Sequence, residues 1–275
     1  DDIDVCIFSM YRKYQSTHTR ELAEMNIFNL FTPSSFDGIV ILKDTIQTST
    51  SSNNIENRIN EIYQGPVLVI NRESEFFDSV FIDDYSGMCM LVSHMIEKHG
   101  YKDIAYISGR KGHIHSNNRL QAFKDTMTAH GLTVCEERIH YGDYWYSSGE
   151  AAVNEMASSQ FKLPEAIVCA NDYMAYALCD TLVSHGINIP GDVSVAGYEY
   201  IGERTEHYPI LTTYRRNREA LGRRAVMMLY DMVNGTSSGY SFSTDGYIVP
   251  GNTCSCGADY RQIAFEVSEK KKQKY

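Results

Sequence analysis

Short apolar runs alternate with amphipathic stretches along most of the chain. The runs are rich in Val and Ile and are bounded by turn residues, a pattern that is typical of buried strands. The predicted strands are DVCIFSM (4–10), FDGIVIL (36–42), GPVLVIN (65–71), SVFID (79–83), DIAYISG (103–109), RIHYG (138–142), AIVCAND (166–172) and DVSVAGYE (192–199).

The stretches between these strands carry apolar residues at helical spacing. Glycines follow several of them, as expected for helix C-caps. The predicted helices are DYSGMCMLVSHMIEKHG (84–100), NNRLQAFKDTMTAHG (117–131), SSGEAAVNEMASS (147–159), YMAYALCDTLVSHG (173–186) and NREALGRRAVMMLYDMVNG (217–235). Residues 45–54 and 234–243 are predicted loops. Alternating strands and helices indicate parallel sheets, and about eight strands fit two Rossmann-like doubly wound lobes better than one.

Composition and charge narrow the function classes. A net charge of −10 and a pI near 5.4 disfavour direct binding of nucleic acid by this piece, because phosphate contacts need a basic face. Seven cysteines, an odd number scattered through predicted elements, favour free thiols in a reducing, cytoplasmic compartment. No apolar run approaches the ~20 residues that a membrane span needs, so no membrane partner is expected.

No catalytic constellation is found. Phosphate-binding glycine loops and the H-E-x-x-H metal motif are absent from the sequence, and GTSSG (235–239) follows a helix rather than the strand that a nucleophile elbow requires. Asp83 and Asp84 are interpreted as one helix cap and one surface carboxylate. Cys254 and Cys256 form a C-x-C with no second Cys or His pair nearby, so neither a metal nor a cofactor is predicted. We therefore expect a protein that is not an enzyme.

Four segments in register resemble the ligand-binding domain of lactose-repressor-like (LacI/GalR) regulators. They are GYKDIAYISGRKGHIHSNNRLQAF (100–123), AIVCANDYMAYAL (166–178), GINIPGDVSVAGYEYI (186–201) and YPILTTYRRNREALGRRAVMMLYDMVNG (208–235). The resemblance implies a type I periplasmic-binding-protein-like fold with a small molecule held between two lobes, whose closure is the signal. It assigns residues 1–106 plus 213–236 to an N-terminal lobe and 107–212 plus 237–252 to a C-terminal lobe. Residues 253–275 are then an extension or linker, and a strand-helix unit is expected to be missing upstream of Asp1.

The resemblance also suggests ligand-binding residues. Arg119 matches an arginine that commonly grips sugar hydroxyls or a purine, and Asn171 matches a polar residue at a strand end, with Asp172 as the helix cap. Glu199 stands where the family usually has Asp, and Tyr144 or its neighbour Trp145 matches an aromatic that stacks on the ligand. The effector class, sugar or nucleoside and purine, stays open.

Two outputs fit a homodimeric sensor of this kind, whose candidate interface surfaces are the helix over 87–100 and residues 45–61. One output is a DNA-binding domain outside this chain, which would make the protein a transcriptional regulator. The other is a downstream signalling enzyme, such as a cyclic-dinucleotide synthase, entered through the tail after Cys256. A solute-binding protein of a transporter is a further alternative, and the free cysteines disfavour it.

Overall fold

The computed structural model describes residues 3–9, 26–30, 32–46, 49–158, 162–201, 207–236 and 246–256. The chain forms two compact units, the first from residues 1–82 and 218–244 and the second from residues 83–217 and 245–275. Among the described residues, no helix combines the length and the apolar character needed to cross a bilayer.

The first unit has a three-stranded parallel sheet in the order β1-β2-β3. Its strands are β1 (Ile39–Leu42), β2 (Val67–Ile70) and β3 (Asp78–Val80), and its helices are α1 (Ser49–Ile62) and α6 (Arg218–Val233). Successive side chains of a strand point to opposite faces. In β2, Leu68 and Ile70 accordingly share a buried cluster with residues of α6, while Val67 and Val69 share a separate one with residues of α1.

The second unit has a six-stranded sheet in the order β5-β4-β6-β7-β8-β9. Its strands are β4 (Ile104–Ser108), β5 (Ile139–Tyr141), β6 (Ala166–Cys169), β7 (Ser194–Glu199), β8 (Thr212–Arg215) and β9 (Tyr247–Val249). The first five pair in parallel, and β9 is antiparallel to β8. Four helices, α2 (Asp84–Ser93), α3 (Ile114–Ala129), α4 (Tyr146–Ser158) and α5 (Asp172–Ser184), belong to this unit.

Fully buried strand residues form the center of the second unit. The strands β4 and β6 are buried along their whole length, as expected for a parallel sheet covered on both faces. One continuous apolar cluster joins them to the helices, with α2 packed on α3 and α4 packed on α5. The predicted α/β architecture with parallel sheets is confirmed.

Three local predictions are wrong. Residues 4–9 form no strand, and Val5 and Ile7 are exposed, because no neighbouring strand among the described residues pairs with them. The predicted loop over 45–54 contains the start of α1 at Ser49. The short strand β9 falls where no strand was predicted.

The predicted lobe boundaries also differ from the two units. Residues 83–106 were assigned to the first lobe, but α2 packs on α3 and β4 pairs with β5 and β6, which holds this segment in the second unit. The predicted loop over 234–243 and the extension over 253–275 lie partly outside the described residues.

Candidate functional site

Polar side chains of the second unit converge at the carboxyl ends of its parallel strands. Glu199 is the last residue of β7, Arg216 follows β8, and the Ala170 carbonyl follows β6. Open α/β sheets bind their ligands at this edge. Asp84, His115 and Arg119 come to the same place from the helices α2 and α3.

Arg119 is the central residue of this group. It is 2% exposed and lies on α3, one turn after His115. Its Nη1 donates to the Ala170 carbonyl oxygen at 2.6 Å, and its Nη2 donates to Asp84 Oδ1 at 3.2 Å and to Glu199 Oε1 at 3.1 Å. The guanidinium lies over the Tyr198 ring, 4.4 Å from its centroid, as in a cation–π contact.

Asp84 is the most enclosed carboxylate of the group. It accepts from His115 Nδ1 at 2.8 Å and from the Tyr198 hydroxyl at 3.2 Å, and Arg216 Nε lies 3.5 Å from its Oδ1. Burial alone would raise the pKa of Asp84, but Arg119, the His115 hydrogen bond and Arg216 outweigh it and hold that pKa well below its usual range. Asp83 is a helix cap, so the prediction of one cap in this pair is confirmed. The prediction that the other residue is a surface carboxylate is wrong, because Asp84 is buried.

Glu199 links the two arginines. Its Oε1 accepts from Arg119 Nη2 and from Arg216 Nη1, both at 3.1 Å. Glu199 and Tyr200 have φ values of +110° and +58°, which are uncommon for residues other than glycine. Such backbone strain is frequent at binding and catalytic sites.

The formal charges of the two arginines and the two carboxylates in this group sum to zero. Arg119 and Arg216 carry two positive charges, and Asp84 and Glu199 carry two negative charges. The Nε atom of Arg119 is buried without a hydrogen-bond partner among the described residues. An unpaired buried donor costs free energy, so a polar acceptor at this point would stabilise the group.

The Asn171 side chain makes two hydrogen bonds, both to backbone atoms. Its Nδ2 donates to the Tyr144 carbonyl oxygen at 2.9 Å, and its Oδ1 accepts from the Met174 N–H at 3.0 Å. Asn171 is thus the N-cap of α5, the role that was predicted for Asp172. Asp172 is fully buried instead, where it accepts from the Thr213 hydroxyl at 2.6 Å and from the Ile201 N–H at 2.9 Å.

The two aromatic candidates, Tyr144 and Trp145, have different surroundings. Tyr144 is partly buried beside the His113 ring, at 5.9 Å between centroids, and burial raises the pKa of its hydroxyl while the nearby Arg119 opposes that rise. Trp145 is 40% exposed and stacks on Tyr173, with centroids 6.0 Å apart.

Sequence reasoning missed Asp84, His115, Arg216 and Tyr198. The spacing of His115 and Arg119, four residues apart and so on one face of a helix, is the signal that could have paired them.

A second group of polar side chains corrects the argument made about metals. No metal was predicted because no second Cys or His pair lies near Cys254 and Cys256 in the sequence. In the second unit, His94 and His99 lie beside these cysteines, although 160 positions separate His94 from Cys254.

Comparisons with known proteins agree with the fold. The model of the family described as "Periplasmic binding protein-like domain" matches residues 92–254. The HTH-type transcriptional repressor PurR of Actinobacillus pleuropneumoniae serotype 3 (strain JL03) is 29% identical over 189 residues, which are 67% of this chain and 56% of that protein. The chain thus spans about half the length of this curated relative.

Solved structures show the same fold. A sugar-binding transcriptional regulator of the LacI family from Escherichia coli, complexed with phosphate, matches with a TM-score of 0.69 and 24% identity over 79% of this chain and 76% of that one. A dimeric Lac repressor with a C-terminal deletion matches with a TM-score of 0.70 and 18% identity over 88% and 85%.

These relatives are regulators rather than enzymes, in agreement with the sequence prediction. The chain belongs to the periplasmic binding protein-like domain family and resembles, within it, the ligand-binding domains of LacI/GalR regulators.

Proposed function

We propose that this domain senses a small molecule for a transcriptional regulator, and that the effector binds at the carboxyl edge of the six-stranded sheet. The observation that carries the proposal is the buried group of Arg119, Asp84, Glu199 and Arg216, in which the Nε of Arg119 has no partner among the described residues. A ligand that binds two conformations with different affinity shifts the equilibrium between them, and this shift is the signal.

The charge balance of the group favours an uncharged, polar effector. An anion would meet Asp84 and Glu199, and a cation would meet the two arginines. A neutral ligand with several hydroxyl or amide groups could accept from the guanidinium groups and donate to Glu199, and the Tyr144 ring offers an apolar face. Both sugars and nucleosides or purine bases have this chemistry.

The site residues in this proposal are Arg119, Glu199, Asn171 and Tyr144, together with Asp84. Trp145 ranks behind Tyr144 as the stacking aromatic, because its ring already stacks on Tyr173. Asn171 already donates one N–H to the Tyr144 carbonyl oxygen and accepts as the cap of α5, which leaves its second N–H for a ligand.

The output is proposed to be DNA binding through a domain outside this chain. The relatives named as HTH-type repressors support this output over a signalling enzyme or a transporter protein. A homodimer belongs to the proposal because one similar structure is described as a dimeric repressor. A cytoplasmic location is supported by the seven free cysteines.

The test is a thermal-shift screen followed by calorimetric titration. The panel contains neutral mono- and disaccharides, nucleosides and purine bases, with sugar phosphates and nucleotides as charged counterparts. We expect a neutral compound to raise the melting temperature, because it binds only the folded state, and its phosphorylated counterpart to bind more weakly.

Glu199→Gln is the informative variant, since it keeps the shape and removes the charge. Loss of a hydrogen bond to a charged group predicts an affinity about 10- to 100-fold lower. The control is Glu150→Gln, an exposed glutamate of α4, which should bind as the wild type does. The site assignment would be wrong if no neutral compound binds, or if Glu199→Gln retains full affinity.

A further inference from the structure

Four metal-ligating side chains of the second unit meet at one point outside the Arg119 group. They are His94, His99, Cys254 and Cys256, whose potential ligand atoms all lie within 4.8 Å of one another. Cys254 is buried, and the other three are partly buried. Two thiols and two imidazoles in a closed set are the ligands of many structural zinc sites.

The distances between these atoms lie within about 0.5 Å of the edges of a metal-centred tetrahedron. Zn–S bonds of ~2.3 Å and Zn–N bonds of ~2.05 Å imply edges of about 3.3 Å for N···N, about 3.6 Å for S···N and about 3.8 Å for S···S. The two histidine Nε2 atoms are 3.3 Å apart, and the two Sγ atoms are 3.3 Å apart. Cys256 Sγ lies 3.4 Å from His94 Nε2 and 3.2 Å from His99 Nε2, and Cys254 Sγ lies 3.7 Å from His94 Nε2.

The backbone explains why the two histidines share one side. Residues five apart on an α-helix point about 140° away from each other. The segment His94–Lys98 is instead a π-helical turn, whose i→i+5 bonding brings residues five apart onto nearly the same face. His94 and His99 are separated by this interval, and their rings meet edge to face at 5.0 Å.

The two cysteines are held by local contacts. The Cys256 N–H donates to the Cys254 carbonyl oxygen and closes a tight turn that keeps both thiols on one side. The Thr212 hydroxyl donates to Cys254 Sγ at 3.0 Å, and the His99 ring stacks on Tyr101. Partners of this kind orient the ligands of metal sites.

We propose that His94, His99, Cys254 and Cys256 bind one Zn²⁺ ion in a structural site. Tetrahedral coordination by two sulfurs and two nitrogens favours zinc over the oxygen-seeking cations. Four protein ligands leave no open position for a substrate, so the ion does not act in catalysis. Its effect is to fasten the segment 250–256 to the end of α2. This proposal is independent of the effector site.

The first test measures zinc in the whole chain, purified under reducing conditions with its affinity tag removed. After reconstitution with zinc and desalting, we expect about one zinc per chain by elemental analysis. Cys256→Ser and His99→Asn should lose it. Cys135→Ser and His185→Asn are the matched controls, since both residues lie outside the group, and these variants should retain it.

The second test uses Co²⁺ in the wild-type protein, which removes any dependence on whether a variant folds. One equivalent of Co²⁺ should give the intense visible absorption of a tetrahedral site together with thiolate charge-transfer bands. Chelation of the metal should lower the melting temperature by several degrees, and added Zn²⁺ should restore it.

Three results would overturn the zinc site. They are wild-type protein that retains no more zinc than Cys256→Ser, a weak octahedral Co²⁺ spectrum, or an intact mass showing a Cys254–Cys256 disulfide under the same reducing conditions.

Discussion

At the scale of single residues, Asn171 takes the helix-cap role that was predicted for its neighbour Asp172. Either residue type can cap a helix, and the backbone decides which of two neighbours does so. Asn171 has an extended backbone with φ of −152°, and its side chain accepts from the Met174 N–H. Asp172 is the first residue of α5 and is buried against Thr213 and Ile201. Burial raises the pKa of Asp172 to about 7.

This raised pKa predicts that the free energy of unfolding decreases as the pH rises. The folded state binds the Asp172 proton more tightly than the unfolded state, whose carboxyl has a pKa near 3.9, so the contribution is complete below pH ~4 and is lost as pH rises through ~7. Between pH 5 and pH 8 the wild type should lose on the order of 2 kcal/mol from this group. Asp172→Asn should remove that dependence, as measured by urea unfolding at both pH values.

The control for this prediction is Asp192→Asn. Hydrogen bonds from Asn188 lower the pKa of Asp192, so this exposed carboxylate does not titrate between pH 5 and pH 8. An unchanged pH dependence in Asp172→Asn would show that Asp172 is not the titrating group.

At the scale of elements, one glycine allows α4 and α5 to pack closely. Gly149 is buried on α4, and a Cβ atom at this position would overlap the backbone of Met174 and Leu178 on α5. Backbone atoms cannot rotate away as a side chain can. The close approach of α4 to α5 therefore requires a residue without a Cβ atom at position 149.

Gly149→Ala is expected to destabilise the protein by about 1–3 kcal/mol, the usual cost of overpacking. Gly222→Ala in α6 is the matched control, because nothing lies within 4 Å of its added Cβ atom. Alanine is a better helix former than glycine, so Gly222→Ala should be neutral or stabilise by up to about 1 kcal/mol. Chemical unfolding of both variants compares them, and a neutral Gly149→Ala would contradict this account of the packing.

The local pattern predicted most elements of the second unit, because burial on both sides selects Val, Ile and Ala in β4 and β6 and helical spacing marks α2 through α5. The same pattern wrongly predicted a strand over residues 4–9, because an apolar run alone does not provide a strand to pair with. It also wrongly predicted a loop at the Ser-rich start of α1.

At the scale of the whole molecule, each unit has its own apolar core. Leu68 is fully buried in a cluster with α6, entirely within the first unit. The largest cluster lies in the second unit and includes Ile107 and Ile167. A cavity in one core removes contacts from that core only.

Leu68→Ala should lower the stability of the first unit by about 2–5 kcal/mol. Hydrogen exchange followed by mass spectrometry should show lost protection in β1, β2 and α6, with protection of β4 and β6 retained. Leu42→Ala, at a 51% exposed position of β1, is the control and should change little. Equal loss of protection in both units would show that they unfold together.

The sequence by itself determined the class of the fold, since strand and helix signals depend on neighbours along the chain and four motifs in register specify the family resemblance. It also indicated Arg119 and Glu199 as candidates. Only the tertiary structure decided that Asp84 and Arg216 join them, and that His94 and His99 meet Cys254 and Cys256. The reason is physical: hydrogen bonding and metal binding require atoms within a few ångströms, and for residues this far apart in the chain that proximity is set by strand order and helix packing.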